Sequence, residues 1–277
     1  MTKLQLLSKV MSAHWGLDKM RGRTVLSAIV QSLITGQRPD KDIFGDPLPC
    51  MQKVGDIALI PLTGVIYVDV PDWIKEYGLW LTDINDITQE IANALNDPVI
   101  QFLVFDVDSP GGLSSAGNRL FDVIDAASRK KPCFAYCGHS RDMASAAYDA
   151  IAACTRIACS PHAEGVGCVG SYLAYLDDTE FWLQMGFKWE VFKSGEYKGI
   201  GESVPLTEAQ RKFLQDQTDY YGSIIRGNVS KYHPAIPTED LQGQWYAGTQ
   251  AAQKTFVHEL KDDLQTAIVY FRNNPIR

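Results

Sequence analysis

The sequence predicts an α/β protein with a mostly parallel sheet, and three observations carry that expectation. From Asp56 onward, short apolar runs alternate with longer stretches whose apolar residues recur every three or four positions, the pattern of strands followed by crossover helices. Several of the short runs are apolar at consecutive positions, as strands covered on both faces are. Glycine or proline punctuation closes most of them.

Taken in order, a strand is expected over 57–60 and a helix over 83–96, with Ile84, Ile87, Ile91 and Leu95 on one face and Thr82 as its N-cap. A buried strand over 99–107 runs straight into Asp108-Ser109-Pro110-Gly111-Gly112, and a helix over 116–128 follows. The cycle repeats as strand 132–137, helix 141–153, strand 155–159, helix 175–185 and strand 189–193. The C-terminal part changes character, because 207–231 and 249–271 both read as helical with no strand between them, Thr207 opening the first as N-cap. Residues 1–54 read as a mostly helical arm, with Leu6, Val10 and Leu17 loosely periodic, ending in the Pro- and Asp-rich stretch 38–49. Two units result: the arm over 1–54 and a main domain over 55–277.

Composition narrows the function. Of 277 residues 45% are hydrophobic and 21% charged, which excludes a disordered, collagen-like or coiled-coil chain. The net charge of −7 repels phosphate backbones and anionic lipid, so neither nucleic acid nor membrane is expected as a partner. The uncharged stretches 24–37 and 165–176 are shorter than the roughly 20 residues a spanning helix needs. Ser8 and Lys9 also cut Leu4-Gln5-Leu6-Leu7 short of a signal-peptide core, so a cytoplasmic location is expected. The six cysteines lie in apolar surroundings of a chain long enough to fold without disulfides, and are expected as free thiols. No CxxC pair accompanies Cys133, Cys137 and His139, so neither metal nor cofactor is expected.

Three stretches could carry chemistry. In Asp108-Ser109-Pro110-Gly111-Gly112, adjacent glycines at a strand end let backbone N–H groups approach a developing oxyanion, although Pro-Gly is also ordinary turn punctuation. In Met143-Ala144-Ser145-Ala146-Ala147-Tyr148, a serine among small residues at a helix start lies near unpaired N–H groups, although serine is also a common small filler and cap. In Lys193-Ser194-Gly195-Glu196-Tyr197-Lys198, a loop lysine can act as a base only if burial lowers its pKa, and most loop lysines are simply solvated. None of the five histidines lies in a triad context or a Gly-x-Ser-x-Gly elbow. His139, just before the serine segment, is the only one held in reserve.

With oxyanion glycines first, then a small-residue serine, then a loop lysine 53 positions later, the sequence resembles the signal peptide peptidase A family of serine–lysine proteases. That family shares the fold of Clp protease and crotonase: repeated β-β-α and βα units on a mostly parallel sheet. The likeness covers roughly 54–265. Its landmarks are Leu62-Thr63-Gly64-Val65-Ile66, the Asp108–Gly112 and Met143–Tyr148 stretches, Gly167-Cys168-Val169-Gly170, and Ser194 to Lys198. The resemblance implies Ser145 as nucleophile and Lys198 as general base, with the amides of Gly111 or Gly112 and of Ala146 forming the oxyanion hole. Such an enzyme hydrolyses peptide bonds through an acyl-enzyme and needs a desolvated lysine.

Three departures stand out, one of them Gly167-Cys168-Val169-Gly170 where the family has Gly-Ser-Ile-Gly. Ala146-Ala147 replace the family's usual Gly-Gly and crowd the substrate approach, and the C-terminal motif survives only loosely around 255–261. The expected N-terminal arm and lack of an anchor resemble the tailed-phage prohead proteases of the family, which implies scaffold and capsid proteins as substrates, inside an immature head or the host cytoplasm. Related peptidases assemble into rings, which implies a homo-oligomer. The alternatives are a catalytically silent structural head protein, a cytoplasmic peptidase of the signal-peptide type, and a crotonase-type acyl-CoA enzyme.

Overall fold

A computed structural model describes residues 50–70, 81–202 and 204–275, together with Trp15–Leu17, Thr35 and Lys75. Most of the arm over 1–54, with its expected helical character, therefore lies outside the described residues.

The centre is a six-stranded sheet. Its strands are β2 (Gln52–Val54), β3 (Ile57–Thr63), β6 (Phe102–Asp108), β8 (Cys133–Cys137), β10 (Arg156–Cys159) and β13 (Glu259–Leu260). They lie side by side in the order β13-β10-β8-β6-β3-β2, and every pair is parallel except β2 with β3. Both faces are covered, which explains the near-continuous apolar runs. Along β3, Ala58, Ile60 and Leu62 face the main core, while Ile57 and Leu59 face the other way, the period of two that a pleat imposes.

On the main-core face lie α1 (Ile84–Asn96), α2 (Ser114–Ser128), α3 (Ala146–Ile151) and α5 (Glu208–Tyr232), buried through Ile84, Ile91, Leu120, Ile124, Ile151 and Ile225 among others. On the opposite face α7 (Leu264–Asn273) sets Phe271 flat against Phe134, ring centres 4.6 Å apart. Two smaller sheets accompany the six-stranded one. One contains β1 (Trp15–Leu17), β7 (Gly111–Leu113), β4 (Val65–Tyr67) and β5 (Leu81–Asp83), in that order. The other contains β12 (Trp245–Tyr246), β11 (Gly165–Gly167) and β9 (Asp142–Ala144).

The α/β reading with a mostly parallel sheet holds, and several local expectations do not. The helix expected over 141–153 is a strand, β9, followed by the short α3, because β9 pairs with β11 in parallel before the chain turns. The first helix is capped by Asp83, whose carboxylate accepts from Asn85 N at 3.0 Å; the Thr82 hydroxyl is taken by the Thr63 carbonyl instead. Residues 189–193 form no strand: among the described residues none pairs with them, and Trp189 and Phe192 lie in solvent. Of the helix expected over 175–185, only α4 (Thr179–Gln184) forms. The C-terminal part does contain strands, β12 and β13, and its second helical stretch divides into α6 (Gly248–Gln253) and α7. Thr207 caps α5 as expected, in a capping box with Gln210.

Candidate active site

Ser145 sits where β9 ends and α3 begins. Its backbone is at φ 54°, ψ −121°, a conformation that side-chain-bearing residues adopt at a cost of about 1–3 kcal/mol and that surrounding structure must enforce. The enforcement is visible. Ser145 N donates to Gly167 O at 2.7 Å, and Ala144 N donates to Ser109 O at 3.1 Å. One helical turn on, Tyr148 Oη donates to Phe256 O at 2.7 Å from full burial. Gly167 belongs to the fourth landmark of the sequence, so that landmark holds the serine strand in register. Ser145 is 1% exposed, and its Oγ is buried with no hydrogen-bond partner. A buried hydroxyl left without a partner is rare in a folded core and marks a group reserved for something else.

Beside it runs the glycine strand. Gly111 adopts φ 102°, which favours glycine, and its N–H donates to Ser109 Oγ at 3.2 Å. Gly112 lies so close to β4 that a Cβ there would come 2.1 Å from Ile66 O. A bridge between Ser109 and Met143 ties this segment to the serine strand. The crowding expected from Ala146 is directed elsewhere: Ala146 packs on α2 at Gly117, where a Cβ would stand 2.7 Å from the Ala146 methyl. Gly117 makes the room that a glycine at 146 would otherwise supply.

Lys198 is placed differently from the desolvated base expected. It is exposed, on an irregular loop between α4 and α5 that is held by Lys198 N to Gly195 O at 3.1 Å and by Gln210 Nε2 to Glu196 O at 2.7 Å. Since Ser145 Oγ has no partner, the structure does not bring the lysine ammonium onto it. Among the described residues none covers the loop: Phe187, Trp189 and Phe192 beside it are exposed, Phe192 at 94%. His139, held in reserve, is exposed and packs on His162 with ring centres 5.3 Å apart, and makes no hydrogen bond to Ser145 Oγ.

Sequence reasoning missed Asp149. It is fully buried one turn after Ser145, accepts from Asn228 Nδ2 of α5 at 2.9 Å through Oδ1, and leaves Oδ2 without a partner. The same Asn228 amide donates to Asn118 Oδ1 of α2 at 2.9 Å. Burial pushes the Asp149 carboxyl up to about 7, Asp122 adds to the rise, and the Asn228 bond opposes it. Between about pH 4 and 7 the unfolded chain is ionised at this position while the native chain stays protonated, so stability falls as pH rises through that window. Asp149→Asn is therefore expected to raise the melting temperature at pH 8 and to change it little at pH 4, as thermal unfolding at the two pH values would show.

Among the described residues no helix is long and apolar enough to cross a membrane. The sequence matches the model of Peptidase family S49 over residues 125–269, more than half of the chain. Capsid assembly protease C of Escherichia phage lambda is 23% identical over 213 residues, covering 76% of this chain and 47% of the relative. Head-tail preconnector protein GP5 of Enterobacteria phage P21 is 24% identical over 187 residues, covering 67% of this chain and 36% of the relative. The chain thus spans less than half the length of these two relatives. A mutant of the 1510-N membrane-bound stomatin-specific protease shares the fold, with a TM-score of 0.51 at 11% identity over 79% of this chain and 85% of that one.

Proposed function

This chain belongs to peptidase family S49, and we propose that it is a serine endopeptidase in which Ser145 is the nucleophile and Lys198 the general base. The observation that carries this reading is the buried, unpartnered Ser145 hydroxyl on a strained strand-to-helix turn beside the glycine strand. In the reaction Ser145 Oγ attacks the scissile carbonyl as its proton passes to Lys198 Nζ. The C–N bond then breaks as Lys198 returns that proton to the leaving amine, and water hydrolyses the ester. The oxyanion is assigned to the amide of Gly112, on the strand that a substrate would pair with in place of β1, and to that of Ala146. β1 pairs antiparallel with the outer edge of β7 in the register Gly16 to Gly112, and an edge that accepts an extended backbone is what a peptide substrate requires.

The lysine must be desolvated to serve, and a second copy of the chain is the proposed cover. Leu176, Phe181, Met185, Phe187, Trp189 and Phe192, close together in sequence, are large apolar side chains left exposed, the kind of surface that a partner covers. Packing a like surface on it would dry the loop that carries Lys198, which makes a homo-oligomer the working form. Similarity to the two phage proteins supports scaffold and capsid proteins as substrates. Casein digestion read by mass spectrometry tests the peptidase: cleavage is expected for wild type, with a loss of at least about a thousandfold in Lys198→Ala. Cleavage by neither favours the second reading, a structural head protein, for which the exposed position of Lys198 speaks.

A further inference from the structure

We infer that Ser109 is a positioning residue that sets the aim of the oxyanion-binding glycine strand through its hydroxyl; the inference rests on the peptidase reading above and deepens it. Ser109 is fully buried and joins three segments. Its Oγ donates to Gly64 O of the β3–β4 turn at 2.6 Å and accepts from Gly111 N at 3.2 Å. Its backbone N–H donates to Asp142 O at 2.7 Å and its carbonyl accepts from Ala144 N at 3.1 Å, both on the strand that ends in Ser145. Gly64 N returns a bond to Asp108 O at 2.8 Å, which closes the junction.

A serine hydroxyl has one proton and two lone pairs. With the proton committed to the Gly64 carbonyl, a lone pair is left facing the Gly111 N–H, and the left-handed turn at Gly111 is held in one orientation. That turn fixes the plane of the next peptide, whose N–H is the Gly112 amide assigned to the oxyanion. The main-chain bonds of Ser109 fix the nucleophile strand from the same residue. One side chain thus sets the distance relation between the attacking oxygen and the amide that receives the charge. A methyl group in its place keeps the main-chain bonds to β9 and frees only the glycine turn.

The test compares wild type, Ser109→Ala and Ser109→Cys on one peptide-amide substrate and on a peptide aldehyde, which adds Ser145 Oγ to its carbonyl to form a hemiacetal resembling the tetrahedral intermediate. In Ser109→Ala, kcat is expected to fall about 10- to 100-fold, below the roughly 100- to 1000-fold of deleting an oxyanion donor outright, while KM stays within about twofold. Aldehyde affinity is expected to fall by the same factor as kcat. Ser109→Cys, of similar shape with a weak donor and acceptor, should lie between, and its shape keeps the comparison available if the alanine variant folds poorly. Unchanged kcat in both variants, or kcat and KM impaired together with unaltered aldehyde affinity, overturns the proposal. Amide exchange at Gly111 separates the two readings without turnover. Faster exchange in Ser109→Ala with an inactive wild type defeats the peptidase reading and keeps the anchoring, whereas unchanged exchange defeats the anchoring itself.

Discussion

Replacing Ser145 with alanine is expected to reduce peptide hydrolysis by at least about 10⁴-fold while changing folding stability by less than about 1 kcal/mol. Loss and retention have separate physical origins. In the proposed mechanism the Oγ is the atom that forms the acyl bond, and among the described residues no other hydroxyl or thiol is assigned that role. It also accepts and donates no hydrogen bond in the folded chain, so its removal leaves no partner unsatisfied. The strained φ of 54° is unchanged, because alanine at this backbone position meets the same steric limits as serine. Casein digestion and a melting curve on the same preparation check both halves. A variant that is inactive and markedly destabilised would show instead that the Ser145 hydroxyl holds the fold.

Gly112→Ala is expected to be the most damaging single methyl near the site. The added carbon would stand 2.1 Å from Ile66 O and 2.5 Å from Ile66 N, and both are backbone atoms of β4. That strand cannot retreat freely: Val65 and Ile66 are fully buried, and β4 pairs with β5 from Val65 to Tyr67. The chain must therefore separate β7 from β4, at a cost of about 3–5 kcal/mol in the range of severe overpacking, and the Gly112 amide moves with it. Both the melting temperature and casein cleavage should drop. Gly195→Ala is the matching control, since a Cβ there meets nothing within 4 Å, and its stability is expected to stay within about 0.5 kcal/mol of wild type.

What could be read before folding follows from which interactions are local in sequence. The strands β3, β6, β8 and β10 announced themselves as apolar runs because both of their faces are buried, and α5 did so through Thr207 as its N-cap. Ser145, Gly111, Gly112 and Lys198 were legible only through the order of short motifs. β9 was not legible: its Asp142, Met143 and Ala144 carry no alternation, and only pairing with β11 and contact with Ser109 make them a strand. The segment over 189–193 misled for the opposite reason, since apolar side chains that lie on a surface have the same composition as those of a core strand.

The sequence alone determined the fold class, the central strands β3, β6, β8 and β10 and the small-residue surroundings of Ser145, because pleat, helical period and capping act over a few neighbouring residues. Tertiary structure alone decided the rest. It set the strained turn at Ser145 through Gly167, 22 positions away, and the room for Ala146 through Gly117. It buried Asp149 against Asn228, 79 positions along the chain, and it left Lys198 in solvent. Each of these depends on which distant backbone arrives alongside, and on which surface remains uncovered when the chain has closed on itself, and no pattern of neighbouring residues encodes either.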